Sequence, residues 1–285
     1  TTGSSGDTNT SGRTFCAWTW KAGGNKNTFN IDDVGYASAA AAGLDGGTIT
    51  PTGASVGTKQ GFSIIKYQGN STAGANISHG LLEAPKLMIH KSLDQSRNWY
   101  TITTAIDGSA DYLYLNLTNQ ANDSAVTAPT SSLMYFTSSA ESNNNNENYV
   151  VYMWHDVPGL QKFGTYEGLG GTANGSFVEL GFRPAIVWVK NVETASQSNT
   201  HWCVFDRLRP GFNKSPAQNR LHLDATDAED PDRVDDGQGI DILSNGFRVR
   251  SNNWYETNLS GATYIYCAWA EAPSVDLFGG GANAR

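Results

Sequence analysis

Gly53, Ala54, Ser55, Val56 and Gly57 reproduce the Gly-x-Ser-x-Gly pattern, which sets a nucleophilic serine on a sharp turn between a buried strand and a helix. A Thr-Pro-Gly stretch precedes it here and no helical pattern follows, so a purely structural Ser55 is expected. His79, His90, His155, His201 and His222 are scattered, and none stands in an HExxH or paired spacing suited to zinc. His79 sits in a turn before Gly80, while His90 and His222 alternate with apolar neighbours as on one face of a strand. Asp227, Glu229, Asp230, Asp232, Asp235 and Asp236 crowd one loop-like stretch, and clustered oxygens are what calcium requires. Their spacing fits neither an EF-hand loop nor a nonapeptide calcium repeat, so a solvated acidic loop is the preferred reading, with Asp232, Asp235 and Asp236 the residual calcium candidates. No strand carries the paired carboxylates of a glycoside hydrolase beside aromatics. Asp156 and Glu271 occupy equivalent strand ends, and a duplicated position points to architecture. The expectation is therefore no catalytic residue and no cofactor.

Aromatic side chains are the better resource for binding, because flat rings suit sugars and protein partners. Trp99, Tyr100, Trp254 and Tyr255 are the candidates; Trp254 and Tyr255, within SNNWYETN, have no evident counterpart elsewhere in the chain. Trp154, Trp202 and Trp269 recur at equivalent positions and are expected in a core.

That equivalence comes from laying the chain on itself. Tyr67, Gly69, Pro85 and Lys91 meet Tyr166, Gly168, Pro184 and Lys190 at one constant spacing, so that APKLMIHK lies on RPAIVWVK. Further on the spacing drifts only through polar segments, as insertions in loops would make it. Trp99 meets Trp202, LYLNLT (113–118) meets LHLDAT (221–226), and YVVYMWHDVP meets YIYCAWAEAP. The N-terminal TNTSGRTFCAWTW also matches TNLSGATYIYCAW, which predicts that FCAWTW is the closing strand of a preceding repeat, paired in a sheet. With no initiator Met, the chain is expected to be the C-terminal part of a longer polypeptide; the alternative is an orphan strand that completes a neighbouring copy's sheet.

Runs such as FSIIKY, YLYLNL, AIVWVK and FRVR, separated by Gly, Asn, Pro and Ser, are strand signals. Ser244, Asn245 and Gly246 predict a hairpin with Asn-Gly at its corner. The fold class is all-β, with tandem jelly-roll-like β-sandwich repeats at 62–159 and 160–275. Residues 1–24 are the terminal strand of a preceding repeat, 25–61 a Gly/Ala/Thr-rich spacer and 276–285 a Gly-rich tail. The 285 residues suffice for two domains. Cys16, Cys203 and Cys267 lie singly in apolar segments and read as buried free thiols. A net charge of -8 without a basic run argues against nucleic acid, and no apolar stretch approaches the about 20 residues of a membrane span.

The segments YQGNSTAGANISHGLLEAPKLMIHK, FGTYEG, GFRPAIVWVK, DILSNGFRVR, YIYCAWAEAP and CAWTWKAGGNKNTFNIDDVGYASAAAAG together resemble the repeat modules of tail-fibre-like structural proteins of marine cyanophages and related phages. The resemblance runs over nearly the whole chain from about Thr8. Leu82 replaces the second glycine of that family's SHGLG turn, and His90 takes a strand position that is aliphatic there. What the resemblance implies is a virion component at the particle surface. Its partners would be other virion subunits and a host cell-surface glycan or protein, and it would form a homo-oligomer. A carbohydrate-binding adhesin module and a polysaccharide depolymerase domain are the alternatives, because sandwiches host all three.

Overall fold

The computed structural model describes residues 10–171, 174–194, 200–209, 213, 220–226, 229 and 239–272. Along the first part of the chain run β1 (Phe29–Ile31), β2 (Val34–Tyr36), β3 (Gly53–Gly57), β4 (Phe62–Gln68), β5 (Asn76–Ser78) and β6 (Leu87–Ser92). They are followed by β7 (Tyr100–Thr103), β8 (Asp111–Tyr114), β9 (Asn122–Asp123), β10 (Leu133–Tyr135), a single helical turn α1 (Ala140–Asn143) and β11 (Asn148–Trp154). The second part holds β12 (Gln161–Glu167), β13 (Phe177–Glu179), β14 (Ile186–Asn191), β15 (Cys203–Asp206), β16 (Leu221–His222), β17 (Ile240–Leu243), β18 (Gly246–Val249) and β19 (Thr263–Trp269).

These strands form a largely β fold of four sheets among the described residues. The order β4-β11-β6-β7-β8 within the nine-stranded sheet recurs as β12-β19-β14-β15-β16 in the five-stranded one. Register repeats as well. Leu87 pairs with Trp154 and Ile186 with Trp269, and Tyr149 faces Tyr67 as Tyr264 faces Tyr166. Pro85 and Pro184 each lie just before the strand that pairs with the closing strand of their copy.

The side-chain network is duplicated too. Tyr67 stacks on Tyr149 at 5.4 Å and donates to Ser142 O, while Tyr166 stacks on Tyr264 at 5.0 Å and donates to Thr257 O. At Gly69 a Cβ would lie 2.3 Å from Asn144 O, and at Gly168 2.2 Å from Leu259 O, so both positions admit only glycine against the turn before the closing strand.

Each large sheet is buried on both faces, which is why its strands read as continuous apolar runs. In β11, Tyr149, Val151 and Met153 face a core with Ile77 and Met134 of the small β5–β10 sheet, whereas Trp154 faces the second copy. In β19, Tyr264, Tyr266 and Ala268 face Val178, Ile242 and Phe247 of the β13–β18–β17 sheet. Its alternate residues Cys267 and Trp269 join Phe62, Leu87, Ile89 and Trp154 of the first copy in one cluster. The two large sheets thus meet through their outer faces. Leu113, Val192, Trp202 and Ile265 continue the contact, and Trp202 Nε1 donates to Tyr114 O across it at 3.0 Å.

Several expectations need correction. FCAWTW forms no strand: Phe15 and Cys16 are exposed, so Cys16 is not a buried thiol, whereas Cys203 and Cys267 are. The outer edge of β4 is already paired by β3, which leaves FCAWTW no ladder there. Instead Trp20 docks edge-on against Trp154, Trp188 and Trp269 at 6.3, 6.1 and 5.4 Å. Residues 25–61 are no spacer, since β1, β2 and β3 extend the first large sheet and Leu44, Ile49, Ala54 and Val56 are buried in its core. Small and β-branched residues suffice there because the segment packs on a neighbouring sheet and builds no core alone. The 240–249 hairpin turns at Ser244 and Asn245, while Gly246 is already in strand. A Cβ at Gly246 would stand 2.0 Å from Val178 O, so that glycine serves close strand approach and not the corner. No helix among the described residues is long and apolar enough to cross a membrane.

Candidate functional site: a histidine and glutamate nest beside an aromatic cleft

Edge strand β16 pairs with β15 so that His222 faces Cys203, which brings His222 beside His201 just ahead of β15. The two imidazoles stack with centroids 4.4 Å apart. Glu256 arrives from the turn before β19, where Asn258 N donates to Trp254 O and the Tyr264 hydroxyl to Tyr255 O, both at 2.9 Å. One ligand-type atom from each of His201, His222 and Glu256 lies within 4.8 Å of the other two. Glu256 Oε1 is 3.4 Å from His222 Nε2, and Glu256 Oε2 is 3.0 Å from Arg220 Nη2. Arg220 Nε donates to His222 Nε2 at 3.1 Å. Behind His201, Asp224 Oδ1 is 3.2 Å from Nδ1 and also accepts from Trp202 N at 3.1 Å.

Burial pushes the Glu256 carboxyl upward, but its bond to His222 and the Arg220 charge outweigh that and hold it below its ordinary 4.5. Nearby Lys190 is fully buried and donates to Thr200 O at 2.7 Å and to Thr118 O of the first copy at 3.1 Å. Burial lowers its pKa to about 8, against the opposing pull of Asp224 and Glu256.

The first copy shows what this corner contains without histidines. Asn98 N donates to Glu141, Asn116 Nδ2 donates to Asn98 Oδ1 at 3.0 Å, and Trp99 N donates to Asn116 Oδ1 at 2.9 Å. By register, Asn98, Tyr112, Tyr114, Asn116 and Glu141 take the places of His201, Arg220, His222, Asp224 and Glu256. Asn116, His201 and Asp224 line one open cleft of about 540 Å³.

Of the aromatic candidates, Trp99 is 37% exposed, with Lys91 Nζ 5.9 Å above its ring. It borders a cleft of about 290 Å³ shared with Trp20, Tyr152, Trp154 and Trp188. Tyr100 is instead buried, because its strand position faces the core beside Tyr112 and Tyr114. Tyr255 is exposed and Trp254 half-buried. Both lie in the turn that carries Glu256, and Tyr255 takes the place of Ala140, whose carbonyl accepts from Tyr149. Trp154, Trp202 and Trp269 are core residues.

Ser55 lies within β3, where its hydroxyl donates to Asn30 Oδ1 at 2.8 Å, and no strand-to-helix turn surrounds it. Asp156 and Glu271 each hold a cation, Lys86 and Arg207 respectively. Asp232, Asp235 and Asp236 lie outside the described residues, as do Asp227 and Asp230; Glu229 pairs with Arg209 at 2.8 Å.

The histidine and glutamate nest was not anticipated, because its members are far apart in the chain and only pairing assembles them. A signal was present nonetheless: aligning LYLNLT with LHLDAT, and Trp99 with Trp202, replaces Tyr114, Asn116 and Asn98 by His222, Asp224 and His201. No curated protein and no solved structure matches the chain. A family described as "Domain of unknown function (DUF7483)" matches residues 1–273, and the chain belongs to that family.

Proposed function

We propose that the chain is a non-catalytic, surface-exposed structural component of a phage virion, a tail fibre or similar appendage, built of two jelly-roll-like β-sandwich repeats. The observation that carries this reading is the fusion of two copies through the outer faces of their large sheets, with Trp202 donating to Tyr114 O across the contact. Such fusion joins the two copies through one apolar cluster, a continuity that suits an appendage. Repetition multiplies weak contacts, and linked sites gain avidity without any one being strong. Partners on this reading are neighbouring virion subunits, further copies of the chain and a host surface glycan or protein, with no turnover of ester, peptide or glycan substrates. Immuno-electron microscopy of intact particles tests it. The chain is expected on the particle surface, and particles that lack it yet assemble and attach normally would overturn the proposal.

A second reading, a carbohydrate-binding module, is favoured by Trp99 at the mouth of its aromatic cleft. Glycan-array binding that is lost in Trp99→Ala supports it, whereas release of reducing sugar from host polysaccharide marks a depolymerase instead.

A further inference from the structure

We propose that the corner formed by His201, His222 and Glu256 is a binding site for a divalent transition-metal ion of the zinc class. Two imidazoles and one carboxylate are a donor set that suits zinc, and three protein ligands leave a fourth position open to water or to a partner's side chain. The ligand atoms lie within 4.8 Å of one another and the three side chains are at most partly exposed, while the near-parallel stacking of the two imidazoles means that one ring must turn for both to face an ion. Two further observations point the same way.

Asp224, whose side chain is wholly buried, sets Oδ1 against His201 Nδ1 at 3.2 Å while its Oδ2 has no hydrogen-bond partner. A carboxylate behind a histidine orients a metal-ligating ring and raises its basicity when the two are hydrogen-bonded, and here the 3.2 Å contact must realign to become that bond. An unpartnered buried carboxylate oxygen is costly, and a cation nearby offsets that cost. The other observation is the internal comparison. The equivalent corner of the first copy holds Asn98, Tyr114 and Asn116, none of them a good zinc ligand, and is closed by amide hydrogen bonds. The fold therefore does not need histidines or a second acid here. One copy carries two imidazoles and an added carboxylate, Asp224, around a glutamate position that both copies share.

Arg220 is the competitor. Its Nε occupies the His222 Nε2 lone pair at 3.1 Å, so an ion must displace that contact, while Nη2 can keep Glu256 Oε2 at 3.0 Å and steady the carboxylate from behind. The cleft of about 540 Å³ reaches His201 and Asp224 from solvent, whereas Glu256 lies behind them and is buried.

The test is calorimetric titration of the full chain with Zn²⁺, and X-ray absorption of the zinc-loaded wild-type chain. The expected result is saturable binding of a single ion through imidazole and carboxylate ligands, with no comparable binding of Mg²⁺ or Ca²⁺, because imidazole ligands disfavour hard cations. The double variant His201→Asn/His222→Tyr imports the first copy's own residues and should fold, as circular dichroism of the metal-free chain will verify, yet lose the ion. Glu256→Gln should also lose it, and Asp224→Asn should weaken binding by about 10–100-fold. An absorption spectrum without imidazole ligands, no binding by the wild type, or unchanged affinity in the folded double variant would each overturn the proposal.

Discussion

In the first copy Trp99 lies partly in water under Lys91, whereas its counterpart Trp202 is fully buried and donates to a carbonyl of the other copy. The same contrast separates Lys91 from Lys190. Each donates to a carbonyl ahead of its copy's tryptophan, Arg97 O or Thr200 O, but Lys190 is fully buried and also reaches Thr118 O across the contact. Duplicated pairing thus preserves the backbone of a module while position in the assembly decides what its side chains do. A residue sealed between modules becomes part of the core, and its twin at the open side stays partly exposed.

The largest expected effect separates the two tryptophans. Trp202→Ala should cost about 3–5 kcal/mol in urea denaturation, the range for emptying a buried aromatic position. Trp99→Ala should cost less than about 1 kcal/mol, because part of its ring is already solvated. Equal losses would break the comparison.

Gly69→Ala and Gly168→Ala sharpen it from the opposite side. Both Cβ atoms would meet a backbone oxygen of an equivalent turn, so each should lose about 1–3 kcal/mol. A loss in one copy alone would show that the turns are not equivalent.

A smaller effect concerns pH. Burial lowers the His90 pKa to about 3 from its ordinary 6.5, and that of His79 to about 4. The unfolded chain takes up these protons near pH 6.5 while the folded chain refuses them, so stability is retained above 6.5 and falls as pH drops toward 3. The strand position of His90 is held by Val189 in the second copy. His90→Val should therefore flatten the dependence of the urea midpoint on pH across that window, with the slope due to His79 remaining. Tyr67 keeps its bond to Ser142 O in the variant, as Tyr166 keeps Thr257 O beside a valine. An unchanged pH profile would remove His90 as the acid-sensitive group.

The smallest change is expected at Tyr255→Ala, within about 0.5 kcal/mol by the same urea measurement, because the side chain is exposed and its structural contact runs through the backbone carbonyl.

The repeat was legible because register is carried by residues that each module needs for itself. A tyrosine must face a tyrosine, and a glycine must pass a backbone oxygen. Those constraints are local to one module and reappear in each copy's sequence, as do the continuous apolar runs of strands buried on two faces. The β class and the core roles of Trp154, Trp202 and Trp269 followed from the same evidence in the residues.

The fate of FCAWTW was not legible. Its match to the closing strand YIYCAW is genuine in sequence, but whether such a segment pairs depends on where tertiary packing places it: β3 already pairs β4, and Trp20 is drawn onto the tryptophans of the two copies. Its tryptophans settled for ring contacts instead of a backbone ladder. Residues 25–61 looked core-poor for a related reason, since small residues bury usefully only when another sheet supplies the opposing surface. Tyr100 and Trp99 are adjacent in sequence, and only strand direction places one in the core and the other at a cleft. The replacements at His201, His222 and Asp224 show in the repeat alignment, but the corner that they form with Glu256 does not. Strand pairing and a turn bring His201, His222 and Glu256 together, and no local pattern can encode a distance set by the packing of separate elements.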